Sequence, residues 1–296
     1  MSRRKASQWS FLQWFKGPYG PPDYYFMGGF FLLLVFGLFM LSSASAVISY
    51  QNFKTPYYYI THQIINGLLF GLPLMWFTAQ LDYHVWRRLA SPLLLISIIS
   101  LVCVFVPGLN FGYAGAHRWV HVGSFIFQPS ELVKLTFLLY MAAWLSGKGE
   151  KMVGNFSYGF VPFMVLVGII GLLIMKQPDM GTMAVISFTV FAMYFVGGAQ
   201  MRHVALAGLM GLLGGGILIK TAAYRFQRFM TFLNPELDPL GVGYHINQAL
   251  LAVGSGGLFG RGFGQSRQKF AYLPEAMTDS IFAVMAEELG FIFCVA

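Results

Sequence analysis

The sequence predicts an all-α polytopic membrane protein, with about eight transmembrane helices and a large external loop between the seventh and the eighth. Three observations predict it. Hydrophobic residues fill 57% of the 296 positions and charged residues 10%, far from the roughly 25% charged content of soluble domains. Mean hydropathy is +0.64. Apolar runs near the ~20 residues that cross a ~30 Å hydrocarbon core begin at about Met27, Tyr57, Leu89, Leu132, Gly159, Met180, Val204 and Ile281.

Residues 1–26 form a polar lead that carries Arg3, Arg4, Lys5 and Lys16. With the first apolar run ending in Ala44-Ser45-Ala46, it mimics a signal peptide. Lead and run, about 26 and about 20 residues, both exceed the usual proportions, including the ~7–15-residue apolar core. An uncleaved first helix behind a cytoplasmic tail is expected. The runs at Leu132 and Gly159 are near the short end, and Pro129 fits a helix start because its missing N–H costs nothing there.

A cytoplasmic N-terminus places Arg3, Arg4, Lys5, Lys16, Arg87, Arg88, Lys148, Lys151 and Arg202 inside, and Lys54, Arg118 and Lys176 in short outer loops. That is the positive-inside asymmetry, and it makes residues 221–277 external. This stretch is too long for a plain connector and carries Asn234-Pro235, Asp238-Pro239 and glycines from Gly254 to Gly264. Tyr244 to Val253 has helical apolar spacing, which suggests a short interfacial helix; frequent Leu, Phe and Tyr argue against a disordered loop. No repeat and no separate soluble domain interrupts 1–296.

Cys103 and Cys294 lie in apolar runs and read as buried small hydrophobes. The net charge of +8 is spread over loops instead of one face, which argues against nucleic acid and for anionic lipid or a phosphorylated substrate.

Three segments carry candidate chemistry. In Gly115 to Lys134, Glu131 enters the first turn after Pro129, with Lys134 on the same face. Alone they read as a structural ion pair; Arg118 adds a donor fork suited to pyrophosphate. His117 and His121 have the spacing of a helical metal pair, but Gly115 and Gly123 argue against a helix and no third ligand is near. His62, His84, His203 and His245 read as interfacial residues. The cluster Gly256 to Gly264 lacks both nucleotide-loop patterns, and reads as tight turns that bring Arg261, Arg267 and Lys269 to a lipid-borne phosphate. Asp279 stands where the polar loop meets the last apolar run, in a chain with only 11 acids. It is either a helix cap or a general base. Of Glu287 and Glu288, one is expected to face the bundle interior.

Three stretches together, Gly115 to Lys134, Gln177-Pro-Asp-Met-Gly-Thr182, and Gly256 through Arg267-Gln-Lys-Phe-Ala-Tyr-Leu-Pro-Glu-Ala-Met-Thr-Asp279, strongly resemble the FtsW/RodA/SpoVE (SEDS) family, nearest its FtsW-type members. Ser42 to Ala46 and Leu81-Asp-Tyr83 resemble it too, so the match spans nearly the whole chain.

The resemblance implies a glycosyltransferase that polymerises lipid II on the outer face of the bacterial cytoplasmic membrane, with a growing glycan strand, a class B penicillin-binding transpeptidase and other division proteins as partners. It matches the family's catalytic acid to Asp279 and the donor-site polar groups to Arg118, Gln128, Ser130, Glu131 and Lys134. Gln248, Lys269 and Glu275 are expected to bind acceptor and strand. It also implies a divalent cation, magnesium or manganese, with no ligand set readable. Two departures stand out: Ser280 replaces the family's usual Phe, and the family has about ten helices, so the chain reads as C-terminally truncated. A lipid II transporter and a non-catalytic division scaffold are the alternatives. The transporter would want ionisable groups near the bilayer midplane.

Overall fold

The computed structural model describes residues 23–108, 110–113, 116–122, 125–220, 223–234, 238–239, 241, 243–270 and 272–296. The basic tail through Lys16 and the glycines Gly115 and Gly123 lie outside them. Every apolar run becomes a helix: α1 Tyr24–Phe53, α2 Tyr58–Gln80, α3 Tyr83–Cys103, α4 Pro129–Lys148, α5 Phe156–Lys176, α6 Met180–Val196 and α7 Met201–Lys220. The stretch 221–277 holds two further helices, α8 Ala223–Leu233 and α9 Tyr244–Gly256, and α10 is Ile281–Val295. Thus the helix foreseen at Tyr244 forms, and α8 adds structure where only a loop was expected.

Among the described residues five helices, α1, α2, α3, α5 and α7, are long and apolar enough to cross a membrane. The other three runs give α6 with 17 residues, α10 with 15, and α4, which carries Glu131 in its first turn and Lys148 in its last.

Local chemistry sets the starts. Asp23 caps α1 by accepting from the amides of Tyr25 and Phe26, and Asp179 caps α6 by accepting from Thr182. Asp82 caps α3 through the His84 amide at 2.7 Å; that bond and the His84 ring hold its carboxyl below the usual carboxylate range. The lowered value keeps this cap intact above the ordinary carboxylate pKa and loses it as pH falls through the depressed one. Pro129 occupies the first turn of α4, as its chemistry requires.

Between α3 and α4 the chain forms a three-stranded antiparallel sheet: β1 Asn110–Tyr113, β2 Ala116–Val122 and β3 Phe125–Phe127. Gly115 and Gly123 argue against a helix here, and nothing in the sequence signals the strands. In β2 the two-residue period turns Val120 inward and leaves Trp119 and His121 exposed, so His121 is not one of a helical histidine pair.

The described chain divides into two units, residues 81–215 and residues 23–80 with 216–296. The first is built on α3 to α6, with Val133, Phe137, Met141, Ile170, Ile174 and Tyr194 in its core. Phe163 stacks on Tyr194 at 4.3 Å, and the Thr136 hydroxyl ties α4 to Ser97 of α3 at 2.8 Å. The second has a core of small residues, including Ala44, Ala252, Ala276 and Ala283. Small side chains let backbones approach closely, the packing device available where lipid removes the hydrophobic drive between helices.

Candidate functional site

The sequence-derived candidates divide between the two units. In the second, Asp279 lies in the turn that leads into α10, exposed and with no hydrogen bond or ion pair among the described residues. Helix α10 begins at Ile281 behind Ser280, so Asp279 does not cap it, and no side chain bonds to its first amides. The cap reading therefore lacks the bond that would define it.

The turn beneath Asp279 is well tied. Leu273 and Ala276 are buried, and the Glu275 carbonyl accepts from the amides of Thr278 and Ser280, each at 3.1 Å. Glu275 has φ +50, is exposed, and accepts from the Thr278 hydroxyl at 2.8 Å. The Ser280 hydroxyl donates to the Pro274 carbonyl at 3.1 Å and pairs with His245 Nε2, so the serine that departs from the family pattern braces the turn. The Tyr244 hydroxyl donates to the Tyr272 carbonyl at 2.9 Å. Gln248, half-buried, lies one turn beyond His245 on the same face of α9.

Below the turn sits a buried ionic cluster. Glu287 and Glu288 are 1% and 0% exposed; both face inward, where one was expected. Glu288 pairs with Lys269 at 2.8 Å and accepts from the Ser43 hydroxyl at 2.8 Å. Glu287 accepts from the Ser266 hydroxyl at 2.6 Å and from the amides of Arg267 and Gln268, with Arg261 at 3.7 Å.

The glycine cluster makes this possible by backbone contact. The Gly262 amide donates to the Glu288 carbonyl at 2.9 Å, and Phe291 donates to Gly257 at 2.9 Å. A Cβ on Gly260, whose φ is +77, would stand 2.2 Å from the Glu288 carbonyl oxygen. The glycines thus serve close approach to α10 at its kink, where Gly290 has φ +80.

An apolar groove of about 620 Å³ runs between α1 and α2 in the same unit, lined by Leu34, Leu38, Leu41, Gly67, Leu72 and Met75. Met277 and Ile281, which bracket Asp279 in sequence, also line it.

In the first unit, the Arg118 guanidinium donates from Nε to the Gln177 carbonyl at 3.0 Å and from Nη2 to the Pro178 carbonyl at 2.6 Å. Gln128 donates to the Asp179 carboxylate at 3.3 Å. The segment Gln177-Pro178-Asp179 is therefore the anchor that orients Arg118 and Gln128, a role the sequence did not disclose. Glu131 and Lys134 form the expected ion pair at 2.8 Å, with side chains 58% and 34% exposed; such a pair contributes about 0–1 kcal/mol and leaves the ammonium accessible.

Two expectations are corrected. Ser130 is fully buried, with no protein partner for its hydroxyl among the described residues, because helix α4 turns it inward. Lys269 is 5% exposed and its ammonium donates to Ser43 Oγ, the Gly264 carbonyl and Glu288. All three of its donors are spent, so it does not present itself to an acceptor. Among the described residues no three His, Cys, Asp or Glu side chains converge as metal ligands, so the implied cation finds no protein ligand set there.

Residues 24–296 match the model of a family described as cell cycle protein, FTSW_RODA_SPOVE. Stage V sporulation protein E of Bacillus subtilis is 45% identical over 88% of this chain and 71% of its own length. The probable peptidoglycan glycosyltransferase FtsW of Trichlorobacter lovleyi is 40% identical over 88% and 68%. Among solved structures, a peptidoglycan synthase complex described as coordinating polymerization and crosslinking aligns with TM-score 0.64 and 28% identity, over 88% of this chain and 72% of the other. The rod shape determining protein RodA of Thermus thermophilus aligns with TM-score 0.60 and 26% identity, over 92% and 69%.

Proposed function

This chain belongs to the FtsW/RodA/SpoVE family of cell cycle proteins, and from that membership we propose that it is a peptidoglycan glycosyltransferase using lipid II. It is a multi-pass membrane protein; the proposal places it in the bacterial cytoplasmic membrane, at the division septum, beside a class B penicillin-binding transpeptidase and other division proteins. The observation that carries the reading is Asp279: an exposed carboxylate that bonds to none of the described residues, on a turn tied down by its neighbours.

The chemistry is an inverting displacement. The acceptor GlcNAc O4 attacks the donor MurNAc C1, forming the new glycosidic bond as the C1–oxygen bond to pyrophosphate breaks. Asp279 accepts the O4 proton, and undecaprenyl pyrophosphate leaves with the bonding electron pair. The groove beside Met277 and Ile281 suits a polyprenyl chain, which has no polar group to satisfy. Arg118 and Lys134 serve the pyrophosphate charge, Glu131 holding Lys134 and Gln128 keeping the anchor in place. Gln248 and Glu275, half-buried and exposed, serve the acceptor and strand.

Arg118→Ala and Lys134→Ala are expected to lower lipid II use about 10- to 100-fold, and Lys54→Ala to leave it near wild type. Equal turnover in all three, measured with the full-length protein, would remove the pyrophosphate assignment. Topology is checked by cysteine labelling: Thr278→Cys reacts with an impermeant reagent from outside and Ser157→Cys from inside, and the reverse pattern sinks the external active site.

The deciding experiment supplies lipid II to the full-length protein in vesicles, with a divalent cation and the transpeptidase. Glycan polymer and released undecaprenyl pyrophosphate are expected. Lipid II that crosses the bilayer unaltered would establish the transporter instead.

A further inference from the structure

The buried cluster of Ser43, Lys269 and Glu288 takes no part in the chemistry above, yet it joins three distant parts of the chain: α1, the glycine-rich segment before Asp279, and α10. Its bonds are complete. The Lys269 ammonium donates to Ser43 Oγ at 2.9 Å, to the Gly264 carbonyl at 2.8 Å and to Glu288 Oε1 at 2.8 Å, while the Ser43 hydroxyl lies 2.8 and 2.9 Å from the two Glu288 oxygens.

Stability does not explain such an arrangement. Desolvating two charges offsets most of their attraction, and well-packed apolar replacements of buried pairs are often as stable or more so. What an apolar cluster does not supply is fixed distance and direction.

The segment held by this cluster ends in Asp279. One foot of the segment is Ser266 to Lys269, fastened to Glu287 and Glu288; the other is Ser280, where α10 begins. Both feet therefore stand on α10, about 10 Å apart along its axis at 1.5 Å per residue. Between them the Leu273 amide donates to the Gln268 carbonyl at 2.9 Å, passing the position of the first foot into the turn. A strap with both ends on one rigid helix has little freedom at its crest, and the crest bears the carboxylate.

We propose that Ser43, Lys269 and Glu288 are positioning residues that set the height and direction of the Asp279 turn over α10, acting on turnover without touching substrate. This rests on the glycosyltransferase reading of Asp279. A misplacement of 1 Å at a reacting group costs about 10²-fold in rate, so loss of the cluster is read in kcat.

The test uses the full-length protein in lipid nanodiscs and the double variant Lys269→Met/Glu288→Gln, which removes the pair without stranding a charge. Turnover at saturating lipid II is expected to fall about 100-fold with KM within about threefold of wild type. Amide exchange across 272–280 is expected to quicken at least about tenfold, while that of α9 and α10 stays unchanged.

Ser43→Ala, a milder change on α1 that keeps the ion pair, is expected to move both readouts the same way by roughly threefold. Exchange that is unchanged in the double variant overturns the proposal, and so does a KM that rises with kcat constant, which would make Lys269 a substrate ligand. If the double variant does not fold, wild-type exchange and turnover in Ser43→Ala overturn it. The exchange arm needs no substrate: quickened exchange in a protein that makes no polymer supports the positioning role and removes the glycosyltransferase reading alone.

Discussion

Asp279→Asn is expected to lower glycan polymerisation by roughly 10²–10⁴-fold while the protein inserts and folds as before. Asn keeps the size of Asp and caps helices as well as Asp does, so any role in starting α10 would survive the change. The structure already removes most of that role, because Ser280 intervenes before the helix and the Asp279 carboxylate bonds to none of the described residues. What Asn lacks is the ability to take a proton at neutral pH. Polymer formation from lipid II, run on a gel beside a thermal unfolding trace, separates chemistry from folding. Wild-type rates in the Asn variant would end the catalytic assignment, and with it the main ground for preferring an enzyme to a transporter.

Gly260→Ala is expected to destabilise the protein by about 2–5 kcal/mol, from two additive causes: roughly 1–2 kcal/mol for a β-carbon at positive φ, and a further 1–3 kcal/mol for crowding a packed contact. The added atom would meet the Glu288 carbonyl oxygen at 2.2 Å, and backbone has no rotamer with which to retreat. Two neighbours grade the effect. Gly264, at φ +78 with open space around it, should cost only the conformational part when changed to Ala. Gly254, helical and unobstructed, should gain about 0.5–1 kcal/mol. Thermal unfolding of the three variants should rank them Gly260, Gly264, Gly254 from least to most stable. If Gly260→Ala and Gly264→Ala unfold alike, the close approach of the glycine segment to α10 is not there.

The helices were legible because membrane crossing constrains length and polarity at once, so each apolar run could be placed by counting. Pro129 was legible for a similar reason: its covalent geometry permits few positions. The short sheet between α3 and α4 was not, since strands of three to seven residues among glycines leave too little alternation to read. Asp279 stood out because acids are scarce, but whether it capped a helix depended on a boundary that only the structure placed, one residue further on.

Lys269 misled for an instructive reason. A lysine that follows two arginines in a polar stretch looks available, and its partners Ser43 and Glu288 lie 226 and 19 residues away. The adjacent acids Glu287 and Glu288 in an apolar helix were the signal that buried donors had to exist; Ser43, among Ser and Ala residues, read as small-residue packing. Arg118 was found, though its bonds to the Gln177 and Pro178 carbonyls were hidden by 59 and 60 residues of separation.

The bond between Ser43 and Glu288 spans 245 residues, and this orders events during synthesis. At about 5–20 residues per second, the first helix waits roughly 12 to 50 seconds before the ribosome delivers the acid that completes the cluster. During that interval Ser43 loses little, being uncharged, while Lys269 precedes Glu288 by 19 residues, about 1 to 4 seconds at the same rate. The carboxylates that Ser43, Ser266 and Lys269 meet in the finished cluster all lie on α10, so the turn that bears Asp279 is fastened only after the chain beyond it has been made.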